Sequence, residues 1–185
     1  MAKMTAAEVR AEYVRENIEP KVLDNTVRGG IAEIVVADIL KPDWKFCGGA
    51  WAGWDFEHQD GTRLQLKQSA ARPFRNSRPA FSIKWQTGHW VDGGTRWVPA
   101  PAPTRFARIY IFGWHGVTDE TCDHADPAQW RFYVVPTKRL PVKKTITLAA
   151  LIEQMGPEYD ADALRAAVEG ARRAVKTTIR AEANR

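Results

Sequence analysis

Residues 54–67, WDFEHQDGTRLQLK, hold the reading on which the fold turns. Two β-type runs, Trp54 to His58 and Arg63 to Lys67, flank Asp60-Gly61, a dipeptide that favours the tight turn of a hairpin. Successive side chains of a strand point to opposite faces. Leu64 and Leu66 therefore share one face, and Gln65 and Lys67 the other. With Asp55 on the facing strand, a carboxylate, an amide oxygen and an ammonium converge. Oxygen donors of this kind suit a hard divalent cation, and a neighbouring lysine can offset charge developing on a phosphate.

Upstream of the hairpin, Thr5 is placed to cap a helix over 6–17 that ends at Glu19-Pro20. A second helix is expected over 31–40, after Arg28-Gly29-Gly30. Ile31, Ile34, Val35, Val36, Ile39 and Leu40 surround it with apolar side chains, so it should be largely buried. Glu33 is the charged outlier on that helix and a candidate fourth member of the polar cluster. Further strands are expected at 44–47, 81–85, 108–114 and 130–135. Residues 68–106, rich in Arg, Pro, Gly and Trp, resist assignment beyond the one short strand. Thr147 and Asp160 cap closing helices over 148–155 and 161–178. Leu164, Val168, Ala171 and Val175 form one apolar stripe on the last helix. A chain of 185 residues suits a single domain over 1–185, with N-terminal helices in 5–40, a sheet core in 44–136 and C-terminal helices in 147–180. The fold class expected is α/β (α+β), a central mixed sheet flanked by helices.

Charge is distributed unevenly. Residues 1–60 carry a net −4, while residues 61–110 hold nine basic side chains against Asp92 alone, a net +8. A stretch so one-sided that also contains Trp85, Trp90 and Trp97 can neutralise phosphates and stack on exposed bases. Ser69, Arg72, Arg75, Arg78, Lys84 and Arg96 are its candidate DNA contacts. No run of about 18 apolar residues occurs, and the charged N-terminus does not read as a signal peptide, so a cytoplasmic protein without a membrane partner is expected. Cys47 and Cys122 make no disulfide framework and no CxxC pair. The four histidines show neither HxH nor HExxH spacing. Cys122-x-His124 is a metal pair only if distant ligands join it, and zinc is not expected. No P-loop sequence is present.

The order Glu33, Asp55, Gln65-x-Lys67 resembles the PD-(D/E)xK restriction-endonuclease-like nucleases. Four blocks carry the resemblance: RGGIAE (28–33), WDFEHQDGTRLQLKQSA (54–70), RFARIYIFGW (105–114) and DPAQWRFYVVPTKRL (126–140). The resemblance implies a restriction-endonuclease-like core. It implies metal ligation by Glu33, Asp55 and Gln65, with Lys67 as catalytic lysine and Mg²⁺ as the cofactor, for which Mn²⁺ would substitute. It implies a homodimer that hydrolyses double-stranded DNA to 5′-phosphate and 3′-hydroxyl ends. Trp54 stands where the family has proline, a position with no chemical task. Gln65 replaces an acid, so two anionic ligands remain where three are usual. Glu57, two residues beyond Asp55 on the same face, is expected to be peripheral. The family's helix between the lysine strand and the next strand has no counterpart expected in 68–106. Two rival readings follow: a catalytically silent nucleic-acid-binding module, and a protein-interaction domain that presents its tryptophans to a partner.

Overall fold

Capping chemistry sets the first two helices. In the computed structural model, which describes residues 4–48, 52–72 and 78–183, Thr5 and Glu8 form a reciprocal capping box at the start of α1 (Ala6–Asn17). No residue of α1 is buried. Helix α2 (Asn25–Leu40) begins six residues earlier than its apolar pattern suggests, because the Asp24 carboxylate accepts from the amides of Thr26 at 2.6 Å and Val27 at 3.3 Å. Gly29 and Gly30 are thereby absorbed into its second turn, where sequence reading placed a boundary.

The central sheet has the strand order β1-β2-β3-β7-β8. Strands β1 (Trp44–Phe46), β2 (Phe56–His58) and β3 (Arg63–Ala70) form an antiparallel meander, turned between β2 and β3 at Gly61 with φ 80°. Strand β7 (Ile109–His115) lies parallel to β3, and β8 (Trp130–Pro136) returns antiparallel to β7, so the sheet is mixed.

A parallel pair needs a crossover. Among the described residues, the segment from 71 to 108 contains no α-helix. It forms β4 (Ala80–Ser82) and a ribbon of β5 (Gln86–Val91) with β6 (Arg96–Thr104). Pro99, Pro101 and Pro103 fit β6 because it pairs on one edge only. Strand β4 pairs with β9 (Thr145–Thr147), a strand the sequence reading did not include. Helices α3 (Leu148–Gln154) and α4 (Ala161–Ala183) close the chain; Thr147 caps the first, and Asp160 accepts from the Ala163 amide at the start of the second.

Alternation along β7 divides the core. Ile109 and Ile111 join Leu64, Leu66, Trp130 and Phe132 under α2 and α4, where Val36, Leu40, Leu164 and Val168 are fully enclosed. Tyr110 and Phe112 face the other side with Tyr133, Val135, Phe81, Ile146 and Leu151. Gln65 and Lys67 pair with Tyr110 and Phe112 in register, so they share that second face. The alternation expected for β3 is therefore present. No helix among the described residues is long and apolar enough to cross a membrane.

Candidate functional site

The site forms where β2 stops and β3 continues. Phe56 pairs with Leu64, and the Asp55 amide donates to the Leu64 carbonyl at 3.0 Å, after which β3 loses its neighbour on this side. The Leu66 amide would otherwise be an orphan donor. Asp55 Oδ2 accepts it at 2.6 Å and also accepts from Gln65 Nε2 at 2.5 Å. Asp55 and Gln65 are both nearly sealed from solvent. Gln65 thus turns its nitrogen toward Asp55, and Oε1 is the end of the amide that can meet a cation.

Glu33 reaches this point from α2, and the anchoring of that helix explains why. Arg28, buried on its first turns, donates from Nε to Gln68 Oε1 at 2.7 Å and from Nη2 to Asn25 Oδ1 at 2.9 Å. Its Nη1 reaches the carbonyls of Leu23 and Arg72, each at 3.3 Å. A buried guanidinium needs several acceptors, and here they come from β3 and from the chain on either side. Helix α2 is thereby fixed against the end of β3 that carries Lys67. The chain at Gly48 closes on the same carboxylate, since a Cβ there would stand 3.0 Å from Glu33 Oε2.

Burial, and then the charge of Asp55, push the Glu33 carboxyl up to about 7, against the opposing pull of Lys67. Burial likewise raises Asp55, opposed by Lys67, the Leu66 amide and Gln65. Two carboxyls that burial makes reluctant to ionise, one of them further opposed by the charge of the other, are the electrostatic mark of a site that gains from a cation. Glu33 and Lys67 line a cleft of about 400 Å³ with Asn25, Gly29, Gln68 and Ser82. A larger concavity, about 780 Å³, runs along Cys47, Trp54, Glu57 and Trp90 and includes none of the four site residues. Glu57 is occupied there by Arg63 at 3.1 Å.

The expected DNA contacts are scattered in role. Arg78 and Lys84 are exposed, and Lys84 lies two residues beyond Ser82 of the cleft. Ser69 is half-buried on β3. Arg72 donates to the Asp119 carbonyl at 2.7 Å, and Arg96 pairs with Asp92 at 2.9 Å. Arg75 lies outside the described residues.

A second constellation escaped the spacing rules. His115 at the end of β7 joins Cys122 and His124 in a buried cluster whose ligand atoms lie within 4.8 Å of one another and could hold a metal ion. The signal was the enclosure of β7, which draws its last residue inward; the sequence interval alone matches no metal motif. The hydrogen bonds constrain its tautomers. His115 Nε2 meets the Asp123 carbonyl at 3.1 Å, which leaves Nδ1 bare and suited to a metal. The Leu23 amide donates to His124 Nδ1 at 2.9 Å, which places that ring's proton on Nε2. A metal on His124 Nε2 would have to displace the Leu23 bond; burial, then the charges of His115 and Arg28, push the imidazole down to about 4, so the ring is neutral. No family model matches the chain, and no curated protein matches it.

Proposed function

We propose that the chain is a Mg²⁺-dependent DNA endonuclease of restriction type, built on a restriction-endonuclease-like core, with Glu33, Asp55 and Gln65 as metal ligands and Lys67 as catalytic residue. The observation that carries this reading is the meeting of a buried and a half-buried carboxylate, an amide and an ammonium from α2, the Asp55 bend and β3 at one sheet edge. The donor set fits the ion: carboxylate oxygens with an amide oxygen are hard ligands, and net negative charge awaits a dication. Bound there, Mg²⁺ would polarise a phosphoryl oxygen and lower the pKa of a water. Lys67 holds a positive charge where the phosphodiester gains negative charge, and positions the attacking water. Asp55 is fixed by the Leu66 amide, so its second oxygen keeps a set direction. Arg78 and Lys84, exposed and each two residues from a residue that lines the cleft, Ala80 and Ser82, would grip the duplex. A homodimer supplies one site per strand, and the exposed Val9, Tyr13, Val14 and Ile18 of α1 and its C-cap offer apolar surface for pairing.

Lys67→Ala is expected to abolish Mg²⁺-dependent cleavage of plasmid DNA by at least about 100-fold while leaving DNA affinity intact. Cleavage at the unmodified rate would remove the site. A second reading, a silent DNA-binding module, draws on Gln65, whose neutral side chain spends its nitrogen on Asp55 and adds no charge for the ion. Calorimetry separates the two: Mg²⁺ or Mn²⁺ binding that disappears in Asp55→Ala supports the enzyme, and DNA affinity without ion binding supports the module.

A further inference from the structure

The β5–β6 ribbon carries a feature that the acidic cleft does not use. Trp85, Trp90 and Trp97 line a concavity of about 320 Å³ together with Gly88 and His89. Their exposures are 45%, 36% and 43%, high for the largest apolar side chain, and they are gathered on one pocket.

The pocket is built in advance. Trp90 and Trp97 are direct cross-strand partners, their rings edge to face with centroids 5.4 Å apart, so each fixes the other. The Trp97 ring lies over Gly88, where a Cβ would come within 2.5 Å of it. The ribbon is held to the body by His89, wedged between Trp54 at 5.3 Å and Phe106 at 4.6 Å. Arg105 lies 4.9 Å over the Trp85 ring while donating to the carbonyls of Ile83 and Pro141, so the ring's position is set from behind. Rings already ordered cost little further entropy when a flat ligand stacks on them.

Charge selects the ligand. The ribbon itself is balanced, its one acid, Asp92, being paired with Arg96 at 2.9 Å, but at the Trp85 end of the pocket Lys84 is exposed and Arg105 lies over the ring. A cationic guest is disfavoured because no carboxylate among the described residues lines the pocket and a guanidinium already covers Trp85. A flat, neutral ring tethered to anionic groups satisfies both the aromatic walls and the field. We propose that this pocket holds an unpaired nucleobase of DNA, stacked on Trp85 and Trp97, with a flanking phosphate at Lys84. The proposal rests on the reading that the chain acts on DNA and adds that it engages a base outside the double helix.

The test uses the full chain in EDTA, where cleavage plays no part, with labelled dT12, an abasic 12-mer of the same charge, a matched duplex and a duplex with one central mismatch. Expected are saturable quenching of tryptophan fluorescence by dT12, binding of the abasic strand weaker by about 5- to 100-fold, and a similar loss in Trp97→Ala that Trp97→Phe restores. Tighter binding of the mismatched than the matched duplex identifies an extruded base as the source; preference for dT12 over both identifies single-stranded DNA. Equal binding of dT12 and the abasic strand overturns the proposal, as does unaltered dT12 affinity in both Trp97→Ala and Trp85→Ala. Quenching without any Mg²⁺-dependent cleavage would retire the nuclease and keep the pocket. Cleavage without quenching would do the reverse.

Discussion

At the scale of single residues, Glu33 carries a cost that Lys67 offsets only in part and that a bound proton or cation relieves. Its carboxyl lies near 7 instead of 4.5, first because it is buried and then because Asp55 is close. Between those values the folded chain holds a proton that the unfolded chain has released. Folding stability therefore falls as pH rises through the window, and the full penalty is present by about pH 8. Glu33→Gln removes the penalty and keeps the shape. In EDTA at pH 8 it is expected to stabilise the protein by about 1–2 kcal/mol, allowing for solvent screening of a half-buried group, with little change at pH 5. The same variant should lose divalent-ion binding. Urea denaturation at the two pH values checks the sign, and an unchanged or lowered stability at pH 8 would mean that the carboxylate is not strained in the metal-free fold. A site that weakens the apo protein and is repaired by its ligand is the usual relation between function and stability.

At the scale of elements, α4 is strapped to the β2–β3 hairpin through the turn residue Asp60. Its Oδ2 accepts Arg172 Nη1 and Lys176 Nζ, each at 2.6 Å, and Oδ1 accepts the Thr62 amide at 3.0 Å. Burial works to raise this carboxyl, but the hydrogen bonds from Lys176, Thr62 and Arg172 outweigh it and hold it well below the usual carboxylate range. Its stabilisation is present at neutral pH and is lost as pH falls below the ordinary carboxylate value. Asp60→Asn should cost about 2 kcal/mol at pH 7, and the gap from the parent should narrow toward pH 3. A pH-independent difference in guanidinium denaturation would assign the loss to the turn alone. This contact also marks the limit of what sequence reading reaches. Asp60-Gly61 was legible as a turn, the alternation of β3 as two faces, and Leu164, Val168 and Val175 as a buried stripe, because each is a local period or dipeptide. The partners of Asp60 on α4 lie more than 110 residues away and have no local signature. The start of α2 went astray because Gly29-Gly30 read as punctuation while the Asp24 cap outweighed it. Arg28, which seats that helix and so delivers Glu33, looked like one more basic residue until its burial was known.

At the scale of the whole molecule, the proposed DNA recognition falls in a different part of the chain from the cores that hold the fold together. The five-stranded sheet with α2 and α4 holds one enclosed core, and β4, β9 and α3 help close the other. Among the described residues, the β5–β6 ribbon pairs only with itself, and its residues are absent from both cores. An isolated two-stranded ribbon contributes little to folding, so its length and its exposed tryptophans need another reason. Gln86 and Thr104 face each other at its base, which allows residues 87–103 to be replaced by two glycines without stretching the chain. The shortened protein is expected to unfold cooperatively, with a Tm lowered by a few degrees from the loss of His89 between Trp54 and Phe106. Its affinity for DNA at fixed salt is expected to fall at least about tenfold, whereas Lys67→Ala keeps the affinity and loses the chemistry. Circular dichroism melts and filter binding on the two variants, side by side, measure this separation. Full DNA affinity in the shortened chain would move the nucleic-acid surface onto the sheet edge beside Glu33 and Lys67.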